Sequence, residues 1–337
     1  MSADFRRQRS AKRPKSETSK AGGGKGAKSE REFDGDVGGR LGSRRGGRRA
    51  GQDRPLGGRE KGSFVGLKKG QMASSSSGKP SPPDSVASSR EAVSGLNSTL
   101  AALTNRPEDC LELRLSTSRS SSPTLRKILD LAESLHIKPQ LVSKAELDPF
   151  GSRHQGVVLF AKPQASPGFE AWLDSVAGSQ PALALALDHL EDPRNLGALL
   201  RSAAAFGAKG LLAPKDRAAS LTQAARAASA GGSEVVPLLT VVNISRSLAA
   251  LKRQGFWVVA AEAETGQPLD EFRFPERSVL LLGAEGKGIS RLAGLEADFR
   301  ISVPLASSIV TSLNVSNAGA ILMHAYFTQI SSKSPRR

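Results

Sequence analysis

The chain has 337 residues with a net charge of +16, of which 38% are hydrophobic and 4% aromatic, a length that accommodates about two domains. Its single cysteine, Cys110, excludes an intrachain disulfide framework and a thiolate metal site. His136, His154, His189 and His324 lack zinc-site spacing, so no metal is implied. No run is apolar for long enough to span a bilayer or to form a signal core, so a soluble cytoplasmic protein without membrane contact is expected.

Residues 1–90 hold 22 Lys and Arg against 9 Asp and Glu, a net of +13, which leaves only +3 for residues 91–337. The segment 1–89, rich in Gly, Ser, Lys and Arg, has too few large apolar side chains to offset the entropy of ordering. It is expected to be a disordered basic tail. Its Arg44-Arg45-Gly-Gly-Arg48-Arg49 string suits a salt-sensitive, sequence-independent hold on RNA phosphates, with a solubilising extension as the alternative. Asp4, Glu17, Glu30, Glu32 and Asp34 argue against an acid-poor organelle-targeting peptide.

Residues 90–163 read as a small mixed α/β domain. A glycine turn at Gly95 enters a helix, residues 110–115 form a strand, 123–135 a helix and 156–160 a closing strand. Residues 164–180 form a Pro/Gly/Ser-containing linker with Trp172 as its packing anchor. From 181 to 330, strands near 183–187, 210–212, 235–239, 256–260, 279–282 and 299–303 alternate with helices near 195–206, 222–230, 245–254 and 314–327. That alternation predicts an α/β domain whose parallel sheet is covered by helices on both faces. Gly207 and Gly255 stand where helix-ending glycines belong. Pattern alone would draw the sheet unknotted and Rossmann-like.

Three strand-to-helix loops carry the polar residues, at the strand ends where open α/β sheets bind ligands. The first runs from Asp188 through Asp192-Pro193-Arg194-Asn195 and on to Arg201. The second is Gly283-Ala284-Glu285-Gly286-Lys287-Gly288-Ile289, and the third is Ser312-Leu313-Asn314-Val315-Ser316. The first lacks the Gly-x-Gly-x-x-Gly of a dinucleotide site. Gly286-Lys287 is no phosphate loop, because Leu281 and Gly288 stand where Gly and Ser or Thr are required. Gly283, Gly286 and Gly288 suit backbone folded tightly around a neutral adenosine. Each residue alone has a plainer reading: Asn195 and Asn314 as helix caps, and Glu285 as a surface carboxylate.

Together and in this order, the three loops resemble the three motifs of the SpoU/TrmH class of SPOUT RNA 2'-O-ribose methyltransferases. The likeness covers roughly the carboxyl half. Pro214-Lys215-Asp216-Arg217 and Ser233-Glu234-Val-Val-Pro237 are most like the bacterial enzymes that methylate a guanosine of 23S ribosomal RNA. Arg153-His154-Gln155-Gly156 resembles the His-Gln-Gly signature of the family's L30e-like RNA-binding domain, with His154 itself a turn or packing residue outside the chemistry.

The resemblance implies an L30e-like substrate-binding domain over 90–163 and a SPOUT domain over 181–330 whose parallel sheet contains a deep trefoil knot. It further implies S-adenosylmethionine as methyl donor, ribosomal RNA as substrate and a homodimer. Gly283, Val303 and Leu313, with Ala284 and Gly288, would hold the donor. Arg201 would be the central catalytic residue, organised by Asn195, Glu285, Ser312 and Asn314. Because arginine loses its proton only above about pH 12, Arg201 is read as a clamp on the target phosphate, with proton removal shared by that phosphate or a water held by Glu285. Between Pro304 and Leu313 the chain is one residue longer than the family spacing, at Ala306-Ser307-Ser308-Ile309, which would reshape the wall beside Val303. The stripe Val315, Ala318, Ile321, Leu322 and Ala325 of the last helix suits either subunit pairing or the chain's own core. Transfer RNA is the alternative substrate, and a non-catalytic RNA-binding or ribosome-assembly protein the alternative class. All five polar site residues standing together favour the enzyme.

Overall fold

In the computed structural model the described residues are 90–332 apart from Arg217, Glu264, Ser307, Ser308 and Val310. The basic tail expected over 1–89, Arg217 of the 214–217 string, and Ser307 and Ser308 of the lengthened loop lie outside the described residues.

Four strands, β1 (Glu91–Ser94), β2 (Cys110–Ser116), β3 (Gln140–Val142) and β4 (Val157–Ala161), form one sheet in the order β1-β4-β2-β3. Only β2 and β3 run parallel. The sequence reading has no strand before Gly95. β1 forms because Glu91 to Ser94 pair with Ala161 to Val158, a partner 64 or more residues downstream that local pattern does not register. Gly95, at φ 96, turns the chain into helix α1 (Leu96–Asn105). Helix α2 (Pro123–Ser134) opens with Ser122 accepting from the Leu125 amide and buries Leu125, Ile128 and Ala132 against the sheet. His154 is buried, its Nδ1 accepting from the Gly156 amide at 3.0 Å and its Nε2 lying 3.1 Å from Asp148, so it shapes the turn into β4. A one-turn helix, α3 (Lys144–Leu147), precedes it.

Within the segment read as linker, residues Phe169–Ser175 form helix α4. Trp172 pins it: the indole is buried, donates to the Lys209 carbonyl at 2.8 Å, and packs so closely on Gly210 that a Cβ there would lie 2.7 Å from the ring. One aromatic side chain thus orders a stretch whose composition alone reads as irregular.

The second sheet has seven parallel strands: β5 (Ala182–Asp188), β6 (Gly210–Pro214), β7 (Leu238–Val241), β8 (Trp257–Ala261), β9 (Gln267–Pro268), β10 (Arg277–Gly283) and β11 (Phe299–Ser302). Their order is β7-β6-β5-β10-β8-β11-β9. A Rossmann-like sheet would set β8 beside β5; here β10 occupies that place, with Leu185 opposite Leu280. β5 is consequently an interior strand, buried on both faces. Leu183, Leu185 and Leu187 enter one core while Ala182, Ala184 and Ala186 enter the other, which is why it reads as an unbroken apolar run.

Besides α4, five helices cover this sheet: α5 (Pro193–Ala205), α6 (Gln223–Ser229), α7 (Ile244–Arg253), α8 (Arg291–Leu295) and α9 (Val315–Ser331). Gly207 and Gly255 follow α5 and α7 at φ 72 and 85, as helix-ending glycines do. On α9 the buried stripe is Val315, Gly319, Leu322, Met323, Tyr326 and Ile330. Ala318 and Ala325 are half-buried and Ile321 is exposed, so the expected stripe is rotated and belongs largely to the chain's own core. The strand expected from 235 starts at Leu238. Gly232–Glu234 form a 3-10 turn first, and Pro237 has no amide to give a ladder.

That turn buries Glu234 against Arg106, which follows α1. Nε and Oε2 are 2.8 Å apart, and the side chains are 7% and 2% exposed. Arg226 reaches both Glu234, at 3.3 Å, and Glu91, at 2.7 Å. Burial outweighs both guanidinium groups and lifts the Glu234 carboxyl above the usual carboxylate range.

Candidate active site

The three polar loops leave the carboxyl ends of β5, β10 and β11 and meet. After β5, Asp192 caps α5 by accepting from the Arg194 amide at 2.8 Å, with Pro193 in the first turn. The cap is therefore Asp192 and not Asn195. Asn195 sits inside the first turn at 8% exposure, with its amide free for a tertiary role.

After β10 the chain closes on itself through reciprocal hydrogen bonds between Ala284 and Gly288, at 3.1 and 2.9 Å, with Gly286 and Gly288 at positive φ. A side chain on Gly283 would stand 2.2–2.4 Å from the backbone of Gly288 and Ile289, so only glycine permits the fold-back. Asp188, buried at the end of β5, accepts from the Ser290 amide at 2.6 Å and fastens the loop to the neighbouring strand. Glu285 is carried at the loop's exposed tip.

Asn314 caps α9 through Oδ1, which accepts from the Ser316 amide at 2.8 Å and its hydroxyl at 2.6 Å. Its Nδ2 faces the other way and donates to Glu285 Oε1 at 2.8 Å and to Asn195 Oδ1 at 3.1 Å. Asn195 Nδ2 donates to the same Glu285 oxygen at 2.8 Å. One carboxylate oxygen thus holds two amides from two other loops, and Oε2 has no partner among the described residues.

Beside this cluster lies a cavity of about 890 Å³, lined among others by Gly283, Ala284, Glu285, Gly288, Val303, Ser312, Leu313 and Asn314. All five residues assigned to the methyl donor line it, as do Glu285, Ser312 and Asn314 of the catalytic set. The volume suits a nucleoside-sized ligand. Sequence reading missed Glu262 and Thr265, which also line it. The signal was available, since Glu262 follows the apolar strand β8 at its carboxyl end.

Arg201 is not hydrogen-bonded to the cluster among the described residues. Six residues beyond Asn195 on one helix, it is turned about 240° around the axis and displaced about 9 Å along it. It is exposed, lies beside Gly232, and makes no side-chain hydrogen bond or ion pair among the described residues.

Two family profiles match the chain: "SpoU rRNA Methylase family" over residues 182–324 and "RNA 2'-O ribose methyltransferase substrate binding" over residues 92–167. The 23S rRNA (guanosine-2'-O-)-methyltransferase RlmB of Pseudomonas putida is 36% identical over 236 residues, which span 69% of this chain and 94% of that protein. The chain belongs to the SpoU rRNA methylase family. Among other SpoU relatives, a putative TrmH family tRNA/rRNA methyltransferase of Staphylococcus saprophyticus is 37% identical over 60% of this chain and 82% of its own length. The crystal structure of the SpoU methyltransferase AviRb from Streptomyces viridochromogenes, solved in complex with AdoMet, shares the fold. It has a TM-score of 0.57 at 22% identity, covering 73% of this chain and 92% of that one.

Proposed function

We propose that this SpoU-family chain transfers the methyl group of S-adenosylmethionine to the 2'-hydroxyl of a guanosine in 23S ribosomal RNA, and does so as a homodimer. The observation that carries the reading is the convergence of Asn195, Glu285 and Asn314 from three loops on the rim of a cavity floored by Gly283. The likeness to RlmB over nearly that protein's whole length supports the ribosomal substrate.

Gly283, Ala284, Gly288, Val303 and Leu313 hold the methyl donor. The fold-back at Gly283 supplies the tight backbone wall that an adenosine requires, with no side chain in the way. The donor supplies a methyl group on a cationic sulfur, and the protein must orient the ribose hydroxyl and take its proton. Glu285, fixed through Oε1, keeps Oε2 for that proton or for the water that carries it. Ser312 stands on the same wall to orient the RNA.

Arg201 clamps the target phosphate in the site of the other subunit. Its place six residues beyond Asn195 on α5, exposed and without a hydrogen bond to its own cluster among the described residues, supports a shared site. The trefoil knot belongs to the same proposal, supported by the passage of Thr311–Asn314 beside the Gly283–Ile289 loop along one cavity.

Methyl incorporation from labelled donor into 23S ribosomal RNA and transfer RNA, both purified from cells lacking the modification, tests the reading. Label recovered as 2'-O-methylguanosine in 23S RNA is the expected result. Label in transfer RNA alone would favour the second reading, which the name of the Staphylococcus saprophyticus relative supports. No label in either would overturn both.

A further inference from the structure

A second carboxylate, that of Glu262, lines the cavity. Glu262 follows β8, which neighbours β10 on the side away from β5, so about 5 Å of strand spacing separates the end of β8 from Gly283, with Asn195 on the β5 side. Glu262 Oε1 pairs with the guanidinium of Arg300, whose other nitrogen donates to the Gly294 carbonyl at 2.7 Å. Glu262 Oε2 accepts from the Thr265 hydroxyl at 2.5 Å. The carboxylate is therefore held in place from two directions.

A carboxylate accepts about four hydrogen bonds, so two sites remain open on Glu262. Its charge is already balanced by Arg300. Glu285, which lines the same cavity, is held among the described residues only by the neutral amides of Asn195 and Asn314. The two carboxylates thus suit different ligand groups. Uncompensated Glu285 suits a cation, and charge-balanced Glu262 suits neutral hydroxyl donors. A sulfonium nucleoside carries both, as a cationic sulfur and a ribose with two free hydroxyls.

We propose that Glu262 accepts hydrogen bonds from the ribose hydroxyls of the methyl donor, with Thr265 and Arg300 as positioning residues that aim it. The proposal rests on the reading of the cavity as the S-adenosylmethionine site.

Titration calorimetry on the full chain with S-adenosylhomocysteine and its 2'-deoxy and 3'-deoxy forms tests it without relying on activity. The parent should bind S-adenosylhomocysteine about tenfold more tightly than at least one deoxy form, the size of one net hydrogen bond to a charged group. Glu262→Ala should lose about that factor for S-adenosylhomocysteine, bind the deoxy form as the parent does, and so erase the preference. Should Glu262→Ala fail to fold, Glu262→Gln, with one acceptor oxygen in place of two and no charge, should reduce the preference to two- or threefold. Equal binding of the three ligands by the parent, or an undiminished preference in the folded variant, overturns the assignment of Glu262 alone. No binding of S-adenosylhomocysteine by the parent overturns the cofactor reading with it.

Discussion

Asn195 and Glu285, 90 residues apart in the chain, meet in a 2.8 Å hydrogen bond, and Asn314 donates to the same oxygen from a third loop. The shared oxygen couples the three loops, so removing the acceptor releases both amides. Glu285→Ala should lower methyl transfer at least a hundredfold, the scale of losing a preorganised group at a reacting centre. Its melting temperature should stay within about 2 °C of the parent's, since Glu285 is exposed. Single-turnover methyl incorporation together with a thermal melt checks this. Retained activity would remove Glu285 from the chemistry.

Arg201 stands six residues beyond Asn195 on α5, and a shared site predicts complementation between chains. Arg201→Ala and Asn314→Ala should each be inactive alone, and a mixture after subunit exchange should regain up to about a quarter of parent activity, from dimers holding one intact site. Activity assays paired with light scattering decide it. A monomeric parent at assay concentration, or no recovery after confirmed exchange, would exclude the shared site.

The buried Arg106–Glu234 pair joins the segment after α1 to the turn before β7. Arg106→Met leaves the buried Glu234 carboxylate with Arg226, which it shares with Glu91, as its remaining cation among the described residues, and should cost about 3 kcal/mol in urea unfolding. Arg106→Met combined with Glu234→Leu should recover more than half of that loss, because no unpaired charge remains. Strictly additive losses would show that the pair is not coupled.

Burial pushes the Cys110 thiol up from 9.0 to about 11. The folded chain therefore gains stability from the neutral thiol that is complete below about pH 9 and is lost as pH rises through about 11. At pH 8 the thiolate fraction is about 100-fold lower than in the unfolded chain, so iodoacetamide should alkylate the native protein at least that much more slowly. Mass spectrometry of alkylated protein with and without urea measures the ratio. Comparable rates would contradict the buried thiol.

Local pattern was enough to read the strand-to-helix alternation, because a strand buried on both faces leaves an apolar run such as Leu183–Leu187, and the ligand-facing residues follow at its carboxyl end. It also singled out Asn195, Glu285 and Asn314 by type. Their meeting was decided by packing across 90 and 119 residues of chain, which no local periodicity encodes. The same holds for β10 lying between β5 and β8, for the pairing that makes β1 a strand, and for the single indole that orders α4. The plainer reading of Asn195 as a cap fails, and the expected stripe containing Ile321 is rotated, for a related reason. Helix start and helix rotation are set by which neighbour covers the helix, and a shift of one or two residues turns a different face inward. Sequence thus determined which chemical groups stand at the strand ends, and the tertiary structure decided which of them share one carboxylate oxygen.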